Sequence, residues 1–211
     1  MRATLFLSIV CSLTSWVVEA EAATPAPIML QTPHLHFEPT ARGFIAKARA
    51  YSVRTTSKAA DFSPTEGQSG WSLRFIGASK VQGEGIEPTG GVSNYFLGRD
   101  PTRWRTGVRH FRRIRYANIW PGIDLVYRGD GRNLEYDLIV QPGGDPSLIQ
   151  LALEGAKQSK ETPAGDLRVE TATGAFVMHK PKVYQQQGDT TVEIAANYRL
   201  HGARLRFEVA A

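Results

Sequence analysis

The chain has 211 residues, 42% of them hydrophobic, with 25 basic against 20 acidic side chains and one cysteine. One domain of this length can bury a sufficient core without disulfide staples. A net charge of +5 suits anionic polysaccharide, lipid headgroups or simply solubility.

Residues 1–22 join a basic start at Arg2 to an apolar stretch, Ala3 to Val18, and a small-x-small triplet, Ala20-Glu21-Ala22. That pattern predicts a secretory leader cleaved before Ala23, because the apolar stretch is too short and too diluted by serines to span a bilayer. Its loss removes one arginine and two glutamates, taking the net charge from +5 to +6, and it removes Cys11, so cysteine catalysis is excluded in the exported chain. Residues 23–35, with three prolines and no periodicity, read as a linker, and 36–211 as the folded domain. His34 and His36 would share one strand face, but no third metal ligand is close in sequence, so neither a metal nor a cofactor is expected.

Within the domain, Phe44 to Arg54 reads as one strand, residues 55–70 as a loop, and Trp71, Leu73 and Phe75 as the buried side of the next strand. Gly83 to Gly91 reads as a Gly-rich connection, and Asn94 to Leu97 as a short apolar segment ending in a turn. Val108 to Tyr116 sets Arg109, Arg112, Arg113 and Arg115 among aromatics. Such a run can grip a single strand of nucleic acid, but export excludes that partner.

The densest stretch is Tyr116 to Val140. Apolar runs Ile123–Tyr127 and Leu134–Val140 flank Arg128-Gly-Asp-Gly-Arg-Asn133, a hairpin with a longer loop. Pairing Tyr127 with Leu134 makes one surface wholly apolar. It also sets Asp124 opposite Asp137, with Glu135 beside them, and like charges so placed repel. The leading expectation is that arginines of the preceding strand, Arg113 and Arg115 among them, neutralise a structural cluster, so that Asp137→Asn lowers the melting temperature. Two alternatives use the same oxygens: a retaining-glycosidase pair, and a Ca²⁺-dependent carbohydrate site. Arg128-Gly129-Asp130 matches an integrin-binding tripeptide on what reads as an exposed loop, and Gly91-Val-Ser93-Asn-Tyr95 approaches a nucleophile elbow but lacks its closing glycine.

Downstream strands follow at short intervals, the clearest alternations being Ile149-Leu151-Leu153 and Val192-Ile194-Ala196-Tyr198-Leu200. No segment holds a helical period. Short strands between Gly and Pro turns predict an all-β antiparallel sandwich or partly open barrel.

Residues Asn94 to Ala156, with the runs Asn-Tyr-Phe-Leu-Gly-Arg-Asp-Pro, Trp-Pro-Gly-Ile-Asp-Leu-Val-Tyr and Leu-Glu-Tyr-Asp, resemble the bacterial domain of unknown function that precedes β-propeller repeats of the SBBP type in exported cell-surface proteins. The resemblance continues more weakly to Ala211. It implies an exported, all-β, non-catalytic structural or binding module at the cell surface, with no established active site to carry over. Its partners would be an envelope glycan, or β-propeller repeats supplied by another chain, since this one stops at Ala211. The opening Phe37 to Gly43 departs from the family in lacking an Asn and a Gln.

Overall fold

The computed structural model describes residues 6–14, 35–48, 51–64, 70–131, 133–172, 174–187 and 190–210. Strand β1 (Phe6–Thr14) is followed by β2 (Phe37–Thr40), β3 (Gly43–Lys47), β4 (Tyr51–Thr55), β5 (Ala59–Pro64) and β6 (Trp71–Phe75). From β2 to β6 each strand pairs with the next. The long strands β7 (Glu84–Tyr95) and β8 (Arg105–Trp120) form a hairpin, and β8 continues into β9 (Ile123–Asp130) and β10 (Asn133–Val140). The rest comprises β11 (Leu151–Glu154), β12 (Gln158–Glu161), β13 (Leu167–Thr171), β14 (Gly174–Met178), β15 (Lys182–Gln187), β16 (Thr190–Ile194), β17 (Ala196–His201) and β18 (Arg204–Val209). Among the described residues there is no α-helix, only two 3-10 turns.

Every pairing is antiparallel, and the strands join into one sheet that curls on itself around a single core, as the sequence predicts. Contacts across the interior show the curl. Phe75 of β6 meets Tyr127 and Tyr136 of β9 and β10 edge-on, at centroid distances of 6.4 and 5.9 Å, and Trp71 stacks on Phe176 of β14 at 3.7 Å. These pairs come from strands that are not ladder neighbours, so their ring area leaves water through packing of one face on another.

The β9–β10 ribbon is the centre of that core. Ile123, Leu125, Tyr127, Leu134, Tyr136, Leu138 and Val140 are all buried, so the apolar surface expected of the hairpin is the one observed. Its register differs. Both strands run further than the sequence pattern shows, and β9 gives way to a turn at Gly131, whose φ of 56° is the left-handed conformation such turns need. Tyr127 therefore pairs with Tyr136, Asp124 with Ile139, Asp137 with Val126, and Glu135 with Arg128. Asp124 and Asp137 are not opposed.

Other expectations shift for local reasons. Phe44 to Arg54 is two strands, because Phe44, Ala46, Tyr51 and Val53 return to the same core across a hairpin. The expected loop at 55–70 contains β5, held by Ala59, Ala60 and Phe62 against β6. The Gly-rich connection is the first half of β7, an exposed strand laddered to β8 with irregular register at Pro88–Val92 and Ser93–Tyr95. The alternation from Val192 to Leu200 is split between β16 and β17, and Val192 is exposed.

Strand β1 lies inside the segment read as a leader. It inserts between β10, with Leu7 opposite Val140 through Leu13 opposite Leu134, and β15, with Ile9 opposite Val183. Ile9 is fully buried there. The triplet Ala20-Glu21-Ala22, the linker up to residue 34, and His34 fall outside the described residues.

Candidate functional site

The acids on the polar face of the β9–β10 ribbon are buried; Asp124 has a cation of its own, and Glu135 and Asp137 share one. Asp124 Oδ2 accepts from Arg115 Nη2 at 2.7 Å and Nε at 3.1 Å, and Oδ1 accepts the Asn118 backbone N–H at 2.8 Å. Glu135 Oε2 lies 2.8 Å from Arg128 Nη2, and Asp137 Oδ2 lies 3.4 Å from Arg128 Nε. Arg115 is thus the arginine expected from the preceding strand. Arg113 instead pairs with Glu87 at 3.0 Å and acts on Asp137 only through its charge, while Arg109 and Arg112 stand exposed on β8. Arg128 lies in the stretch whose composition predicts a loop, so the sequence does not single it out as a partner for the acids. It sits in β9, and a side chain on the adjacent Gly129 would collide with Leu35, so the Arg128-Gly129-Asp130 tripeptide is strand and not an open loop tip.

Burial pushes the Asp137 carboxyl above its ordinary pKa, and Glu135 adds to that, against the opposing pull of Arg128 and Arg113. A raised carboxyl pKa is one half of what a glycosidase needs. The other half is a free partner carboxylate across an open gap, and both oxygens of Asp124 are already engaged. Two arginines answer the three acids within the sheet, and Asp137 Oδ1 is left buried without a hydrogen-bond partner.

A second constellation was not legible as a site. Phe37 of β2 pairs directly with Phe111 of β8. Alternation along each strand then turns His36, Glu38 and His110 to the opposite surface. Their ligand atoms all lie within 4.8 Å of one another. Nε2 of His36 is 3.6 Å and Nε2 of His110 is 3.5 Å from Glu38 Oε1, and the two imidazoles stack at 4.0 Å with 20° between their planes.

Strand β7 covers this cluster. Ser93 Oγ donates to Glu38 Oε1 at 3.1 Å and lies 2.7 Å from His110 Nε2; Tyr95 donates its hydroxyl to Glu38 Oε2, and Lys47 Nζ donates to the Tyr95 oxygen at 3.1 Å. Glu38 is only 6% exposed. Burial pushes its pKa up, but the Tyr95 and Ser93 hydrogen bonds, with the nearby Lys47 and His110, outweigh that and hold it below the ordinary value. Burial and His36 push the His110 pKa down and outweigh the upward pull of Glu38, so the neutral ring is favoured.

The Ser93–His110 contact gives the incomplete elbow motif a partner, yet not a relay. Glu38 approaches the same Nε2 that faces Ser93, whereas a triad acid orients the ring from Nδ1. Nδ1 of His110 instead packs on Gly91, 3.0 Å from where a Cβ would be.

At the tip of the β7–β8 hairpin, Phe96 is 62% and Trp104 39% exposed, their rings in edge contact at 5.1 Å, with Leu97 also exposed. Trp104 Nε1 donates to the Gly98 carbonyl at 3.2 Å, which fixes the indole. Arg99, Arg103 and Arg105 are exposed along the same segment.

No curated protein and no solved structure matches the chain. A family model described as a domain of unknown function, DUF7948, matches residues 29–211, reaching back into the proline-rich segment beyond the expected domain start. With nearly the whole chain matched, this protein belongs to the DUF7948 family of domains of unknown function.

Proposed function

We propose that this protein is an exported, non-catalytic β module of the bacterial cell surface, and that it binds an acidic envelope glycan through the tip of the β7–β8 hairpin. The observation that carries the reading is the exposed aromatic pair Phe96 and Trp104 beside Arg99, Arg103 and Arg105. Sugar rings stack on fixed aromatic faces, and guanidinium forks take carboxylates. The enzyme-like acids, by contrast, are paired with Arg115 and Arg128. Export rests on the leader pattern, and association with β-propeller repeats on the resemblance of the Asn94 to Ala156 stretch.

The test is a glycan array run with and without Ca²⁺. Retention of uronic-acid polysaccharides in both conditions, lost in Trp104→Ala, is the expected result. Retention that needs Ca²⁺ would favour the carbohydrate site on the ribbon acids. No retention of any glycan would defeat the glycan reading and leave a protein partner for the same tip.

A further inference from the structure

We propose that His36, Glu38 and His110 form a site for a first-row divalent cation, zinc by donor chemistry, on the outer surface of the β2–β8 pair. Two imidazole nitrogens and a carboxylate oxygen are the donor set of many zinc sites. The two histidine–glutamate spacings are close to those of a filled site, and the stacked imidazoles, 4.0 Å apart, would turn to aim both nitrogens at one ion. A tetrahedral ion with bonds of about 2.0–2.1 Å sets its donor atoms about 3.3–3.4 Å apart, and both imidazole nitrogens lie 3.5–3.6 Å from Glu38 Oε1.

Those separations are also too long for hydrogen bonds. Neither imidazole nitrogen bonds Glu38 Oε1 directly; the Ser93 hydroxyl bridges Glu38 Oε1 and His110 Nε2, and a bound ion would take the place of that bridge. The surroundings are arranged to orient ligands. Tyr95 fixes the far oxygen of Glu38, Lys47 fixes Tyr95, and Ser93 stands beside both Glu38 Oε1 and His110 Nε2. Such supporting hydrogen bonds are what metal ligands have in common. Three protein donors leave a fourth position for water or for an oxygen of another molecule.

The structure supplies a comparison. His179 and Asp166 also pair, at 3.5 Å, but no third ligand joins them among the described residues.

The test uses the full chain without an affinity tag, stripped with chelator and titrated with Co²⁺ by visible absorption and with Zn²⁺ by calorimetry. One equivalent of Co²⁺ should give the intense bands of a four-coordinate nitrogen–oxygen site, and Zn²⁺ should raise the melting temperature. His36→Ala, at a half-exposed position, should keep the fold by circular dichroism. Losing a ligand costs no less than losing a ligand's hydrogen-bond partner, so affinity should fall by about tenfold or more, as in His110→Ala. His179→Ala should bind as the parent does. A weak, six-coordinate cobalt spectrum, no saturable Zn²⁺ heat, or a His36→Ala titration that superimposes on the parent would overturn the proposal.

Discussion

Asp124 ties a cation on the neighbouring strand to a kink in that strand: Arg115 grips its Oδ2 while its Oδ1 takes the backbone N–H of Asn118. Asn118 is one of the two non-glycine residues described with positive φ, at 51°, and it sits where the β8–β9 register breaks between Tyr116 and Trp120. Asparagine tolerates that conformation, and its side chain accepts the Gly122 N–H at 3.2 Å. Asp124 thus holds both the charge and the bulge. Asp124→Ala should destabilise the fold by about 3 kcal/mol, the low end for breaking a buried pair, since Arg115 is half exposed. Urea unfolding checks it; a loss below about 1 kcal/mol would show that the pair behaves as a surface one.

Asp137 should behave differently. Its raised pKa means that the ionised form is disfavoured in the fold, so this group detracts from stability above its folded pKa and ceases to do so as pH falls through that value. Asp137→Asn should leave the melting temperature at neutral pH unchanged or higher, contrary to the expectation from sequence. Any advantage should shrink as the buffer is acidified. Melting curves of both proteins across that range decide it, and a loss at neutral pH comparable to Asp124→Ala would refute it.

In the core, Leu125 is directly paired with Leu138 and wholly buried. Leu125→Ala should cost about 2 to 5 kcal/mol through lost transfer energy and the cavity left behind. Equilibrium unfolding with an unchanged denaturant slope is the readout.

The ribbon was legible because its apolar residues alternate between glycines, but its register was not. A slip of two residues returns every side chain to its own face, so the hydrophobic pattern is blind to it, and only the turn at Gly131 decides. Strand β7 was missed because it is exposed along most of its length and has no apolar period to show. The His36–Glu38–His110 cluster was half visible. His36 and Glu38 are two apart on one strand, but the third ligand arrives through the long-range Phe37–Phe111 pairing, which no local spacing reveals.

Strand β1 gives export a structural consequence. Cleavage before Ala23 would remove the strand seated between β10 and β15, baring backbone donors and acceptors on both. Amino-terminal sequencing of the exported protein should read from Ala23. A synthetic peptide spanning Phe6 to Thr14 should then raise that chain's melting temperature by refilling the slot. A start at Met1 would refute cleavage, and no shift with peptide would show that the slot closes without it.

The most direct test of a binding module without catalysis is a search for product. The purified protein is incubated with the acidic polysaccharides that it retains, and released reducing ends are counted over time. The account predicts retention with no product above the buffer control, in the parent and in Asp137→Asn alike. Product that accumulates with the parent and vanishes in Asp137→Asn, at an unchanged melting temperature, would contradict it and make the ribbon acids a glycosidase pair.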